Sequence, residues 1–173
     1  MTRGRLGLPL LAYAVLIIAW IYQTRVYIPQ LPEIVVSHFD FSGNPDGNMS
    51  REGFRSLSLL VQGSMASVFL LLSFLLPRIP ASMISIPHSG YWLADDQREA
   101  SLAFLQRSML WMGALTFAAT LMIFQSTIRA NLGEVIVLGR SFWISMGFYI
   151  GAIALLLVKL YERFKRPDES MSA

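Results

Sequence analysis

SMLWMGALTFAATLMIFQSTI, residues 108–128, is the stretch whose reading decides the fold. It runs 21 residues from Arg107 to Arg129 without an Asp, Glu, Lys, Arg or His. At about 1.5 Å of rise per residue a helix of this length crosses a hydrocarbon core of about 30 Å. The pattern recurs on both sides of it. Residues 6–24, 56–76 and 141–158 are 19, 21 and 18 residues long and equally free of ionisable groups. The whole chain of 173 residues is 54% hydrophobic and 14% charged, against about 25% charged in an ordinary soluble domain. All 25 formally charged side chains lie outside the four runs. These numbers specify an all-α membrane protein, four transmembrane helices joined by two long interfacial loops, with the lipid bilayer as its first partner.

The same arithmetic removes other classes. Net charge is +3, but the 14 basic residues are spread over every connecting segment, so no continuous basic face exists for a phosphate backbone and no nucleic-acid partner is expected. The chain has no cysteine, hence no disulfide, no thiolate metal site and no cysteine nucleophile. Ionisable groups inside a membrane are costly and usually mark proton relays or ion paths; none is present here. Gln62, Gln125, Ser64, Ser67, Ser73, Thr116 and Thr120 are polar side chains within the spans. They serve either a polar path or helix-to-helix hydrogen bonds and back-bonds to the preceding turn. Small residues spaced four apart, Gly147 and Gly151, Ala114 and Ala118, Gly63 and Ser67, suit close helix packing. Packing inside the bundle is the expected use, with a homo-oligomer through Gly147 and Gly151 as the other.

Orientation follows from charge. With four spans both termini share a side, and that side carries nine of the basic residues against five on the other. Basic flanks resist translocation, so the expected arrangement is a multi-pass membrane protein with cytoplasmic N- and C-termini. Trp20, Tyr22, Trp111, Trp143 and Tyr161 lie near span ends, where aromatic rings anchor. The beginning of the chain has the layout of a signal peptide, with Arg3 and Arg5 before an apolar run. The small triplet Ala12-Tyr13-Ala14 lies inside the run, however, so the first span reads as an uncleaved anchor.

Chemistry therefore falls to the loops. In residues 25–55, Asn44-Pro45-Asp46-Gly47 reads as a turn, residues 34–41 as a short extended segment, and Ser50 as the N-cap of a helix entering span two. His38, Asp40 and Asp46 have metal-ligand and acid–base chemistry, but one imidazole falls short of a zinc set and no calcium-loop ladder surrounds Asp40. No metal or cofactor is expected. The preferred reading has Asp40 and Asp46 capping turns and His38 making a local hydrogen bond. In residues 77–107, Asp96-Gln97-Arg98-Glu99 forms a capping box that starts a helix running straight into span three. Tyr91, Trp92 and Leu93 before it form an interfacial plug. In residues 134–138 the sequence suits a short strand or extra turns of span four, and the tail from Lys159 suits a surface of anionic headgroups.

Two motifs carry a family resemblance. Leu31-Pro32-Glu33-Ile34, His38-Phe39 and Gly43-Asn44-Pro45-Asp46-Gly47, following a first span, resemble the LPxxIPxHFxxxGxPD signature of the bacterial membrane family called domain of unknown function 1648. Ile86-Pro87-His88-Ser89-Gly90-Tyr91-Trp92-Leu93-Ala94 is similar to the IPNxxYWL segment of its members. The departures are a valine for the second proline, Met49 and Arg51 for a tryptophan and lysine, and His88 for the asparagine. The resemblance covers residues 1–128 with spans 6–24, 56–76 and 108–128, and leaves 129–173 for the fourth span and a basic tail. It implies a four-helix membrane protein and no reaction. A related group resembles the immunity protein against a bacterial cannibalism toxin, which implies a partner-binding or signalling role. The expected function is accordingly binding of a peptide, a protein partner or lipid through the loops, at His38, Asp40, Asp46, Tyr91 and Trp92. The alternatives are a membrane-surface enzyme using His38 with Asp40 or Asp46, and a small transporter or assembly subunit.

Overall fold

A computed structural model describes residues 3–133 and 137–165. The described chain is built on four long helices. α1, Arg3–Tyr22, continues through a widened π turn at Gln23–Tyr27 and a 3-10 turn at Ile28–Gln30. A hairpin of β1, Ile34–Phe39, and β2, Pro45–Ser50, leads directly into α2, Arg51–Leu75. A second connection with 3-10 turns at Leu76–Arg78 and Ala81–Met83 and a short helix α3, Ser89–Trp92, precedes α4, Asp95–Leu132. α5 is Arg140–Phe164. Four stretches, Leu6–Gln30, Arg51–Arg78, Asp95–Leu132 and Arg140–Phe164, are long and apolar enough to cross a membrane. The protein is an all-α membrane protein with one small antiparallel sheet.

α4 is the axis. Its 38 residues make about 57 Å of helix, nearly twice the hydrocarbon thickness. The part between Arg107 and Arg129 has the length of a span, so the first three turns project beyond it. Basic residues bracket the apolar part of the neighbours in the same way: Arg55 and Arg78 around α2, Arg140 and Lys159 around α5. Long basic side chains at these positions reach the headgroup layer while their stems stay on apolar surface. Leu8, Leu11, Val15 and Ile18 of α1, Leu60 and Leu71 of α2, and Phe148 and Leu155 of α5 are exposed. In lipid such side chains need no protein cover.

The core is layered along α4. Ile28, Leu31, Val35, Phe54, Phe124 and Ile128 close the hairpin end. Tyr13, Ala66, Leu110, Ala114 and Phe117 form the middle. Leu76, Leu93, Leu102, Leu105 and Phe164 close the opposite end. Between the first two layers lies a buried amide chain. Gln62 Nε2 donates to Gln23 Oε1 at 3.1 Å and to Ser58 Oγ at 2.7 Å, and Gln23 Nε2 donates to Gln125 Oε1 and the Leu121 carbonyl, both at 3.0 Å. Three segments of chain are thus joined by side-chain amides rather than lined up along a path. Ser64, Ser67, Thr116 and Thr120 bond back to carbonyls three or four residues before them, and Ser73 donates to the Gln106 carbonyl across the interface.

Several expectations change. Gly147 and Gly151 do not pack inside the bundle: both are exposed and a Cβ at either would meet open space. α5 turns that face outward and meets α4 elsewhere, through Tyr149 Oη near Thr116 Oγ1 at 3.4 Å and through Phe164 at its end. The glycine that permits close approach is Gly113 of α4, against Tyr13 and Phe69, while Gly63 faces the Trp20 ring. α4 begins one residue before the expected capping box. Ala94 is its N-cap and makes no side-chain bond, leaving Asp95 and Asp96 as the acidic first turn, where they complement the helix dipole. α5 runs six residues past the expected span, to Phe164. Of the 134–138 segment, residues 134–136 lie outside the described residues, as does the tail from residue 166.

His88 is the one non-glycine residue with positive φ among the described residues, at φ 51° and ψ 42°. That is the left-handed region, where asparagine is among the better-tolerated side chains. Position 88 therefore carries a backbone requirement that needs no ligand to explain it.

Candidate functional site

At the hairpin end the chain places most of its candidate side chains together. The turn does not fall at residues 44–47 as expected. Pro45, Asp46 and Gly47 belong to β2, with Phe39 opposite Pro45 and His38 opposite Gly47. The reversal is made by residues 40–44. Asp40 Oδ1 accepts from the backbone amides of Ser42 and Asn44, both at 2.8 Å, and Gly43 takes φ 85°. An aspartate able to bond amides two and four residues on organises the turn more strongly than a proline that only fixes φ. Pro45 is left to open a strand, a position where its missing N–H is tolerated.

The Asp40 carboxyl is held below its ordinary value of 3.8, first by the Asn44 backbone amide, with the Asn44 side chain and the amides of Ser42 and Gly43 adding to it. Lowering in the folded state means that the turn's contribution is complete above the unfolded value and is lost as pH falls through the folded one. Titrating the Ser42 and Asn44 amide shifts of the micelle-bound protein should give a shared midpoint below 3.8. A midpoint above that value would contradict this account of the turn.

His38 Nδ1 bonds the Asp46 carboxylate across the two strands. The two side chains are 74% and 45% exposed, so the pair is a surface interaction of small energetic worth. Gly47 makes room for it, since a Cβ there would press on that of His38 at 3.0 Å. Beyond the pair, Phe41 stands at the tip with 97% of its surface exposed.

The hairpin is tied to the bundle at two places. Asn131 near the end of α4 accepts from the Val36 N–H and donates to the Val36 carbonyl, each at 2.8 Å, so its amide acts as a short piece of paired strand. The Leu138 N–H donates to the Gly43 carbonyl at 3.0 Å. Val35 is fully buried beneath. Replacing Asn131 with Ala orphans both Val36 groups, at about 1–3 kcal/mol for each that stays dry. Hydrogen exchange at the Val36 amide should rise by about tenfold or more, while the α4 interior amides hold their protection; unchanged exchange at Val36 would show that the clamp is dispensable.

At the base of the hairpin is a cavity of about 400 Å³ lined by Thr24, Arg25, Ile28, Pro29, Arg51, Glu52 and Arg55. Arg51 is partly committed to structure, donating to the Leu31 carbonyl at 2.9 Å. Arg55 lies 3.8 Å from Glu52. Sequence reading missed this cavity because Arg25 and Arg51 are 26 positions apart; only closure of the hairpin brings them together. The available signal was that Arg25 and Arg55 end the first apolar run and begin the second.

The hairpin and the cavity at its base fall within one segment, while Asn131 and Leu138, which moor the hairpin, lie beyond it. Residues 14–61 match the family model of the Domain of unknown function (DUF1648). The DUF1648 region takes in the second half of α1, the whole hairpin, the arginine-lined cavity and the first three turns of α2. It stops one residue short of Gln62. No curated protein and no solved structure matches the chain.

Tyr91 and Trp92 lie outside the DUF1648 region and at the other end of α2. The structure does not bring them to His38. Trp92 packs with Leu93 and Phe164 in the far core layer, its ring 6.0 Å from that of Phe164, and the Arg163 guanidinium stacks 4.3 Å above it. That arrangement ties the second loop to the end of α5. Among the described residues no group of three His, Asp or Glu side chains is placed to hold a metal ion.

Proposed function

We propose that the protein is a partner-binding component of a bacterial cytoplasmic membrane, with its termini cytoplasmic and its hairpin presented on the outer side. The observation that carries this reading is Phe41. A large apolar side chain 97% exposed, on a turn fixed by Asp40 and moored by Asn131 and Leu138, is pre-organised to serve as an anchor in a partner's pocket. The His38–Asp46 pair on the strands and the arginine-lined cavity at the base of the hairpin add polar groups for recognition. The partner is a peptide or protein that reaches the membrane from outside, which accommodates a signalling or immunity-type role. An enzymatic role for His38 is less well supported: the pair projects from an exposed strand, and Asp40 spends its oxygens on turn amides.

A photo-crosslinking residue at Phe41, in intact cells, tests the reading. A discrete protein or peptide adduct is expected at that position and not at Met83 of the second loop, itself 74% exposed. Lipid adducts alone at Phe41, or the same adducts at both positions, would overturn it. The orientation is tested by single cysteines at Ser42 and Ser89: an impermeant thiol reagent should label the first and spare the second.

A further inference from the structure

A second cavity, of about 460 Å³, lies between α4 and α5 on the side away from the hairpin, lined by Phe104, Arg107, Ser108, Trp111, Leu115, Leu156 and Lys159. Its chemistry is divided by level. Arg107 and Lys159 mark the ends of the two ion-free runs, 108–128 and 141–158, so both cations sit where hydrocarbon gives way to headgroups. Trp111, Leu115 and Leu156 lie one to two turns deeper, at about 5–12 Å by helix rise. Deeper still, Tyr149 approaches Thr116 where the helices meet. Both cations are exposed, and among the described residues neither is ion-paired.

Two cations above an apolar cleft that opens to the bilayer are complementary to one kind of molecule. We infer that this cleft is a binding site for an anionic phospholipid, its phosphate between Arg107 and Lys159 and an acyl chain along Trp111, Leu115 and Leu156. Paired basic residues at the headgroup end of an interhelical cleft hold such headgroups by charge and by hydrogen bonding, and the apolar wall adds affinity that only a chain-bearing lipid can use. A lipid here also fills the gap between α4 and α5 and joins a helix with little protein cover to the bundle.

The test is native mass spectrometry of the full-length protein in detergent, with phosphatidylglycerol or phosphatidylcholine added at equal concentration. The wild type should retain phosphatidylglycerol preferentially. Arg107→Gln and Lys159→Gln should each reduce retention about fivefold, and the double variant about twenty-five-fold, on the usual worth of one basic residue at a charged membrane surface. Arg129→Gln makes the same charge change on α4 at the opposite end and should leave retention unaltered. Leu156→Trp fills the cleft without touching charge and should also release the lipid. The inference fails if the two lipids are retained equally, if Arg129→Gln matches Arg107→Gln, or if equimolar inorganic phosphate displaces the lipid.

Discussion

Gly113→Ala is expected to be the most damaging single-methyl change in the protein. The added Cβ would overlap Tyr13 Oη and Phe69 Cβ and lie 2.7 Å from Phe69 Cγ. The tyrosine hydroxyl is the far end of a side chain and can yield. Phe69 Cβ cannot, because it moves only with the α2 backbone. α4 and α2 must therefore separate at the middle core layer, where Leu110, Ala114 and Phe117 are buried. Overpacking in a tight core typically costs about 1–3 kcal/mol, and a backbone-limited contact belongs at or above the top of that range. Thermal unfolding in detergent should show a large fall in midpoint together with reduced yield. Ala114→Gly, a change of the same size in the opposite sense at the next residue, should cost far less. An unaltered midpoint for Gly113→Ala would mean that the two helices are not packed at this level.

Gly113 also illustrates what a sequence can and cannot disclose about such a fold. The four spans, the continuation of α4 into the second loop and the N-cap at Ser50, whose Oγ accepts from the Gly53 amide at 3.1 Å, follow from patterns within one segment: absence of charge, helix length, capping chemistry. Which glycine meets which helix depends on the rotation of each helix about its axis. Mean hydropathy carries little of that information, since lipid-facing and bundle-facing residues are both apolar. The spacing of Gly147 and Gly151 fits close packing as well as Gly113 does, yet the structure turns them to the outside.

The candidate site divides in the same manner. His38, Asp40 and Asp46 are recognisable one by one, and Asp40 as a turn former is a local property. The His38–Asp46 pair depends on strand register, and reading residues 44–47 as the turn assigns Asp46 to the reversal rather than to the strand facing His38. The Asn131 clamp lies 95 residues from Val36 and leaves no mark in sequence beyond a polar residue at a helix end. Trp92, read as an interfacial anchor, packs on a core layer beneath Arg163 instead.

Gln23→Leu should produce the second largest loss of stability, and it separates a joined amide chain from independent polar contacts. Gln23 is the hub: it accepts from Gln62 and donates to Gln125 and the Leu121 carbonyl, so three bonds between segments go at once. Each such bond in a membrane bundle is worth about 0.6–2 kcal/mol, and together the loss should reach about 2–4 kcal/mol. Gln62→Leu removes one bond to Gln23 and one to Ser58, and it also removes an Oε1 that is buried without a partner. Discarding an unsatisfied acceptor offsets part of the loss, so this change should cost clearly less although Gln62 is the more buried of the two. The double variant decides the matter. Once Gln23 is gone the bond between them no longer exists, so the combined loss should fall short of the sum of the single losses by about the value of that bond. Strict additivity in detergent unfolding would mean that the two side chains do not share a hydrogen bond.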